Sequence, residues 1–357
     1  MIKYIGSKRR LVPVLGRMLS AAGARTAVDL FTGTTRVAQE FKRQGAEVWA
    51  VDMARYSETF ARCYVATDAR AVDHAALADA MRELNRLPGR AGYVTETFCR
   101  RARYFRPENG RRIDAIRDAI AECHAGSALE PLLLTSLVEA ADRVDSTTGV
   151  QMAFLKRWAP RSANPLELRP PSLIPGPGHG VRGDAAAAIR TLPEVDLAYL
   201  DPPYNQHAYA ANYHVWETLV AWDAPEAYGV ACKRADCRDP ATRSRFNSKG
   251  EIAEALAEVV AGVRARVIVV SFSNEGWVGL PDLVDMAAAR GHVRVVAFES
   301  KRYVGAQIGI HDPRGVKVGR VSHLRNLEYL VLAGPADEVE ALAAVASGDD
   351  RSTLLPA

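Results

Sequence analysis

No apolar run in this sequence approaches the roughly 18 uninterrupted residues that a membrane-spanning helix requires. The opening residues, Met1-Ile2-Lys3-Tyr4-Ile5-Gly6, contain no signal-peptide core, so a cytoplasmic protein without a membrane partner is expected. Cysteine is scarce and odd in number. The five residues Cys63, Cys99, Cys123, Cys232 and Cys237 show no paired spacing, which argues against a disulfide framework. Cys232 and Cys237 lack a second ligand pair at zinc-site spacing, so free thiols and no metal are expected. An excess of one charge is missing too: 46 Lys+Arg stand against 42 Asp+Glu, a net charge of +4. Bulk charge does not announce a nucleic-acid partner, and only local clustering can carry that case.

The 357 residues, 48% apolar, suffice for a core and a second lobe. Thr26 to Phe31 and Glu47 to Asp52 are short apolar runs, each followed by a helical pattern (Val37 and Phe41; Tyr56, Phe60 and Tyr64). Two strand–turn–helix units in succession predict a doubly wound α/β sheet with a parallel core. From Thr67 to Pro177 strand signals are few. Ala75 to Leu87, Ile113 to Cys123 and Leu129 to Ala141 read as helices, and Pro160 to Pro177 as an extended linker. Alternation returns with strands at Val195 to Leu200, Val267 to Phe272, His292 to Phe298 and Asn326 to Leu332. Helices are expected at Tyr213 to Trp222, Leu280 to Arg290 and Ala336 to Ala346, then a polar tail. The expected organisation is a catalytic domain from residues 1–66 and 179–357, with 67–178 an inserted, mainly helical lobe.

The first strand ends in Asp29-Leu30-Phe31-Thr32-Gly33-Thr34-Thr35. One glycine at the carboxyl end of a parallel strand lets backbone approach a ligand. Asp52, ending the second strand, stands where an acid accepts hydrogen bonds from ribose hydroxyls. The turn is not GxGxxG, because Thr34 and Thr35 stand where further glycines would be. A dinucleotide pyrophosphate needs that bare backbone; a nucleoside with a zwitterionic tail, such as S-adenosylmethionine, does not. The same turn also serves as a plain strand–helix connection.

Asp201-Pro202-Pro203-Tyr204 follows the strand Val195 to Leu200 directly. Two prolines end the ladder and stiffen the chain. The Asp201 carboxylate and the Pro202 carbonyl then become fixed acceptors beside an aromatic face. This set suits an amino group on a planar base, whose nitrogen lone pair is delocalised into the ring. Two acceptors for its two N–H groups favour a tetrahedral nitrogen and stabilise the positive charge that develops when it attacks a methyl donor. The ring of Tyr204 stacks a base that has left the duplex.

Taken in order, these residues resemble the D12 class of DNA N6-adenine methyltransferases. Lys3-Tyr4-Ile5-Gly6-Ser7-Lys8 resembles that family's N-terminal motif, Asp29 to Gly33 its cofactor turn, Asp52 its ribose-binding acid, Gly183-Asp184-Ala185 its acidic motif and Asp201 to Tyr204 its catalytic motif. The resemblance spans Lys3 to about Leu332 and implies a Rossmann-like S-adenosylmethionine-dependent methyltransferase sheet with an inserted DNA-recognition lobe. It implies that Tyr4 and Lys8 contact the cofactor, Lys8 near its carboxylate. Asp29, Phe31, Thr32 and Gly33 would line the methionine part, Asp52 and Met53 meet the ribose side, Asp184 and Ala185 the adenine, and Asp201 lie between methyl donor and target amine. Gly149 to Trp158 resembles a subgroup of restriction-system modification enzymes, which implies double-stranded DNA as partner and a cognate restriction endonuclease acting separately. N4-cytosine methylation, RNA adenine methylation and a catalytically silent DNA-binding homologue are the alternatives; the Asp at position 201 favours adenine.

Three basic clusters are candidates for DNA contact. Arg100, Arg101, Arg103 and Arg106 interleave with Tyr104 and Phe105 and are followed by Arg111 and Arg112. Lys233 to Lys249 holds six basic residues against two acids. Lys301 to Arg325 holds six against one, including Lys317 and Arg320; its glycine-rich stretch Tyr303 to Val321 suggests a hairpin reaching into a groove.

Overall fold

The computed structural model describes residues 2–6, 8–205, 209–239, 242–301 and 325–355. Its strands in chain order are β1 (Thr26–Leu30), β2 (Glu47–Asp52), β3 (Gly178–Arg182), β4 (Val195–Leu200), β5 (Ala227–Tyr228), β6 (Lys233–Arg234), β7 (Ala265–Ser273), β8 (His292–Lys301), β9 (Arg325–Gly334) and β10 (Ser352–Leu355). The chain forms two compact units that interleave in sequence. One comprises Met1–Ser7, Thr32–Asp184 and His207–Ser244, the other Lys8–Phe31, Ala185–Gln206 and Arg245–Ala357. The chain is α/β, as the alternation predicts. No helix among the described residues is long and apolar enough to cross a membrane.

In the second unit six strands lie in the order β10-β8-β9-β7-β4-β1. β1, β4 and β7 are parallel, with Asp29 opposite Tyr199 and Tyr199 opposite Val269. β9 runs antiparallel to both β7 and β8, so β8 shares the direction of the parallel trio. Ala265 to Ser273 is buried almost without interruption, the pattern of a strand covered on both faces. The helices Val12–Ala21, Ile252–Gly262, Leu280–Ala288 and Ala336–Ser347 supply the cover. Residues 352–355, expected in a polar tail, instead pair antiparallel with β8, Ser352 opposite Phe298. Four residues are too few for an alternation to register, but they satisfy the open backbone edge of β8.

In the first unit β2 and β3 are parallel, with Asp52 opposite Arg182. β3 was invisible in the sequence because its residues are Gly-His-Gly-Val-Arg. The reason is spatial: a Cβ at Gly178 would lie 2.5 Å from the Val65 carbonyl oxygen, and one at Gly180 3.0 Å from the Arg62 nitrogen. The strand is pressed against a helical turn, and side chains there would force it away. The helices His74–Arg86, Pro107–Cys123 and Glu130–Val144 fall where the periodicity places them. They enclose a core that includes Phe98, Tyr104, Phe105, Ile113, Leu137 and Trp216, all fully buried. The expected helix at Tyr213 to Trp222 is His214–Ala221, ended by Trp222 in the left-handed region at φ 53°.

Candidate active site

The turn after β1 is backbone under tension. Phe31, Gly33 and Thr35 have φ values of 72°, 52° and 61°. For residues with a side chain this region costs roughly 1–2 kcal/mol each, and such outliers gather at ligand sites. Gly33 is required twice over. Its φ favours glycine, and a Cβ there would lie 3.0 Å from the Tyr4 ring.

Asp52 braces this turn. One carboxylate oxygen accepts from the Gly33 N–H at 2.9 Å and the other from the Ala54 N–H at 3.0 Å. The Met53 backbone and the Ser57 side chain also hydrogen-bond to this carboxylate. Burial raises the Asp52 pKa, while these backbone donors pull it back. Met53 beside it is an exposed apolar residue. The Asp52 carbonyl accepts from Gly183 at 2.9 Å, which sets half-buried Asp184 beside Asp52 at the carboxyl edge of the β2–β3 pair. Ala185 is buried at the start of the next helical turn, in the second unit.

Tyr4 is held by aromatic packing. Its ring stacks on Tyr213 at 4.5 Å and on Tyr209 at 5.5 Å, and its hydroxyl lies 3.1 Å from that of Tyr56. Burial raises its pKa, so the phenol stays neutral. The segment is tied down one residue earlier. The Lys3 ammonium lies 2.9 Å from Asp142 and 3.2 Å from Asp145, both buried.

The second unit carries the tetrapeptide. Asp201 leaves β4 at the sheet's carboxyl edge, followed by Pro202, which is buried, and Pro203. Tyr204 rests its ring 5.7 Å from Phe272, and its carbonyl accepts from the Trp277 N–H at 3.2 Å. Asn247 donates to the Asn205 carbonyl at 2.7 Å, fixing the exit of the segment. Asp29 is buried within β1, and Phe31 packs edge-on against Phe246 at 4.8 Å.

Lys8 stands between two carboxylates. Its ammonium is 3.1 Å from Asp201 Oδ1 and pairs with Glu328, whose same oxygen accepts from the Ser271 hydroxyl at 2.7 Å. Burial works against the Lys8 charge, but Asp201 and Glu328 outweigh it and the pKa rises. Burial raises the Asp201 pKa; Lys8 lowers it and Glu328 raises it again, leaving it above the ordinary range. Sequence reasoning missed Glu328. The only signal was an acid in the middle of the apolar strand Asn326-Leu327-Glu328-Tyr329-Leu330.

The basic cluster from Arg100 to Arg112 divides. Arg112 is a clasp, donating to the carbonyls of Leu87 at 2.8 Å and Asn85 at 2.9 Å. Arg100 pairs with Glu96 one helical turn back. Arg101 and Arg111 are exposed. Arg103 and Arg106 lie over the Trp158 ring at 4.7 and 5.3 Å. Lys317, Arg320 and the expected hairpin Tyr303 to Val321 lie outside the described residues.

The strained turn after β1 and the Asp-Pro-Pro-Tyr segment at the tip of β4, the strand paired with β1, mark the carboxyl edge of this parallel α/β sheet as a candidate group-transfer site. The chain belongs to the D12 class of N6 adenine-specific DNA methyltransferases, whose profile matches residues 4–261. It is similar to the type II methyltransferase M.NlaIII of Neisseria lactamica, at 30% identity over 85% of this chain and 92% of that one. The type II methyltransferase M.CviAII of Paramecium bursaria Chlorella virus 1 is 28% identical over 85% and 92%. M.FokI of Planomicrobium okeanokoites is 28% identical over 77% of this chain and 45% of its own, so this chain spans about half of that longer relative. The enzyme is a DNA adenine methyltransferase of the restriction–modification type.

Proposed function

We propose that the enzyme takes S-adenosylmethionine as methyl donor and acts at the N6 amino group of an adenine flipped out of duplex DNA. The observation that carries this is the Asp201 carboxylate at the tip of β4, fixed by Lys8 on one oxygen and followed by two prolines and a braced tyrosine ring. Tyr4, Asp52, Met53 and Asp184 suit a nucleoside: an aromatic face, a carboxylate at a strand end, an exposed apolar side chain and a second acid. Thr32 and Gly33, with Asp29 and Phe31, would take the amino-acid tail, and Ala185 would border the adenine. When bound, S-adenosylmethionine supplies an electrophilic methyl group on a sulfonium.

The protein's part is acceptance of hydrogen bonds. The Asp201 carboxylate and the Pro202 carbonyl hold the two N–H groups of the target amine and draw its lone pair out of conjugation. They then stabilise the positive charge that appears on nitrogen as its bond to carbon forms. A proton leaves that nitrogen afterwards, and Asp201 is the base beside it. Tyr204 stacks the extruded base. Exposed arginines, Arg101 and Arg111 among them, would contact phosphates, and Lys317 and Arg320 would add to them.

In this reading the protein is the modification half of a type II system, working in the cytoplasm while a separate endonuclease cuts unmodified sites. Expression in a host free of adenine methylation, followed by genome-wide mapping of modified bases, tests it. One sequence motif carrying N6-methyladenine throughout is expected, and Asp201→Ala abolishes the signal while the protein stays folded. Substantial methylation by that variant would refute the role of the carboxylate.

A further inference from the structure

The charges around Asp201 do not balance. Lys8, Asp201 and Glu328 all belong to the second unit. Lys8 is fixed just ahead of the helix Val12–Ala21, where its carbonyl accepts from the Leu11 and Val12 N–H groups at 2.7 and 2.9 Å. Glu328 arrives from the opposite direction. β9 runs antiparallel to β7, so its first residues meet the end of β7, with Glu328 opposite Ser273. An acid is thereby delivered to the edge that Asp201 reaches from β4. The side chains of Lys8, Glu328 and Asp201 are 8%, 12% and 19% exposed, so little water screens their charges from one another.

Among the described residues that pair here, two carboxylates share one ammonium. Their described neighbours do not restore the balance. Burial raises the pKa of Tyr199 and of Tyr204, so both phenols stay neutral. Glu275, which accepts from the Asn326 amide, is a further acid. Lys8 alone would suffice to hold Asp201. A second carboxylate largely withdrawn from water is costly unless a cation answers it. A ligand that brings a positive charge to this edge would answer it.

A methyl donor and its product differ by that same charge. The sulfonium of S-adenosylmethionine is a cation. When its methyl group is transferred, the carbon–sulfur bond breaks, the electron pair stays on sulfur and a neutral thioether remains. We propose that Glu328 sets the cofactor selectivity of the site, its carboxylate charge favouring the sulfonium donor and disfavouring retention of the thioether product. Glu328 acts through Lys8 and Asp201 and is a positioning residue. The inference rests on the S-adenosylmethionine reading above. It adds to that reading a residue outside the ordered motifs and a reason for product to leave.

The test is equilibrium binding by calorimetry with the full-length protein and three ligands: S-adenosylmethionine, S-adenosylhomocysteine, and an amine analogue that carries an ammonium where the donor has its sulfonium. It is run at about pH 8, where Asp201 is ionised in spite of its raised pKa of about 6. Glu328→Gln keeps an oxygen for Lys8 and Ser271. It is expected to weaken both cationic ligands about tenfold and the thioether by less than about twofold. Glu328→Asp, which keeps the charge, should recover most of the preference. Equal losses for all three ligands would show a merely structural role and overturn the proposal, as would affinities unchanged by Glu328→Gln. If that variant does not fold, the wild type decides: it must bind the ammonium analogue more tightly than the thioether, and equal affinities count against the proposal. A wild type that binds none of the three ligands sinks the underlying cofactor reading. One that binds all three, with a ratio indifferent to the charge at residue 328, sinks only the role of Glu328.

Discussion

Glu328 shows how one side chain sets the state of another. It shares the Lys8 ammonium with Asp201, and its negative charge pushes the Asp201 carboxyl toward protonation. Asp201 must be ionised to accept from the target amine, so activity falls as pH drops through its raised pKa. The acid limb of the kcat/KM profile should therefore lie above the ordinary carboxylate range. Glu328→Gln keeps the shape and leaves an oxygen for Ser271 but removes the charge. Asp201 then ionises more readily, and the limb moves to lower pH. A pH profile of the variant that coincides with the wild type would show that Glu328 does not act on Asp201. Of these residues Asp201 and Lys8 were legible in the sequence because they lie in ordered motifs. Glu328 was not, since the Lys8 it pairs with is 320 residues away.

Among elements, the run Arg100 to Arg112 shows why a charge cluster is not a unit. Its residues span a helical turn, a loop and the start of Pro107–Cys123, and they point to different tasks. Arg112 caps the end of the helix His74–Arg86 by taking the Asn85 and Leu87 carbonyls, while Arg101 stays exposed. Arg112→Ala should therefore lower the melting temperature, by about 1–3 kcal/mol of lost charged hydrogen bonds, and leave the salt dependence of DNA binding unchanged. Arg101→Glu with Arg111→Glu should flatten the plot of log affinity against log salt. Reversed results for the two sets would exchange the roles. Charge is visible in a sequence, but which cations are already engaged by carbonyls is not.

At the scale of the whole molecule, ligand binding should be visible as stability. S-adenosylmethionine bound only by the folded protein stabilises it by mass action, about 2.7 kcal/mol at a hundredfold excess over Kd. The melting temperature should rise accordingly, and Asp52→Ala should reduce that rise. An unmoved melting temperature at millimolar cofactor would argue against the assigned binding residues.

Strand-forming runs such as Val195 to Leu200, helical periodicity and the ordered motifs are local properties, and the sequence alone determined them: an α/β fold, its helices and the candidate chemistry at residue 201. Which unit each segment joins, the pairing of residues 352–355 with β8 and the glycine strand 178–182 were decided only by tertiary structure. These depend on close approach between distant segments, where sterics and hydrogen bonding act through space and leave no periodic trace along the chain.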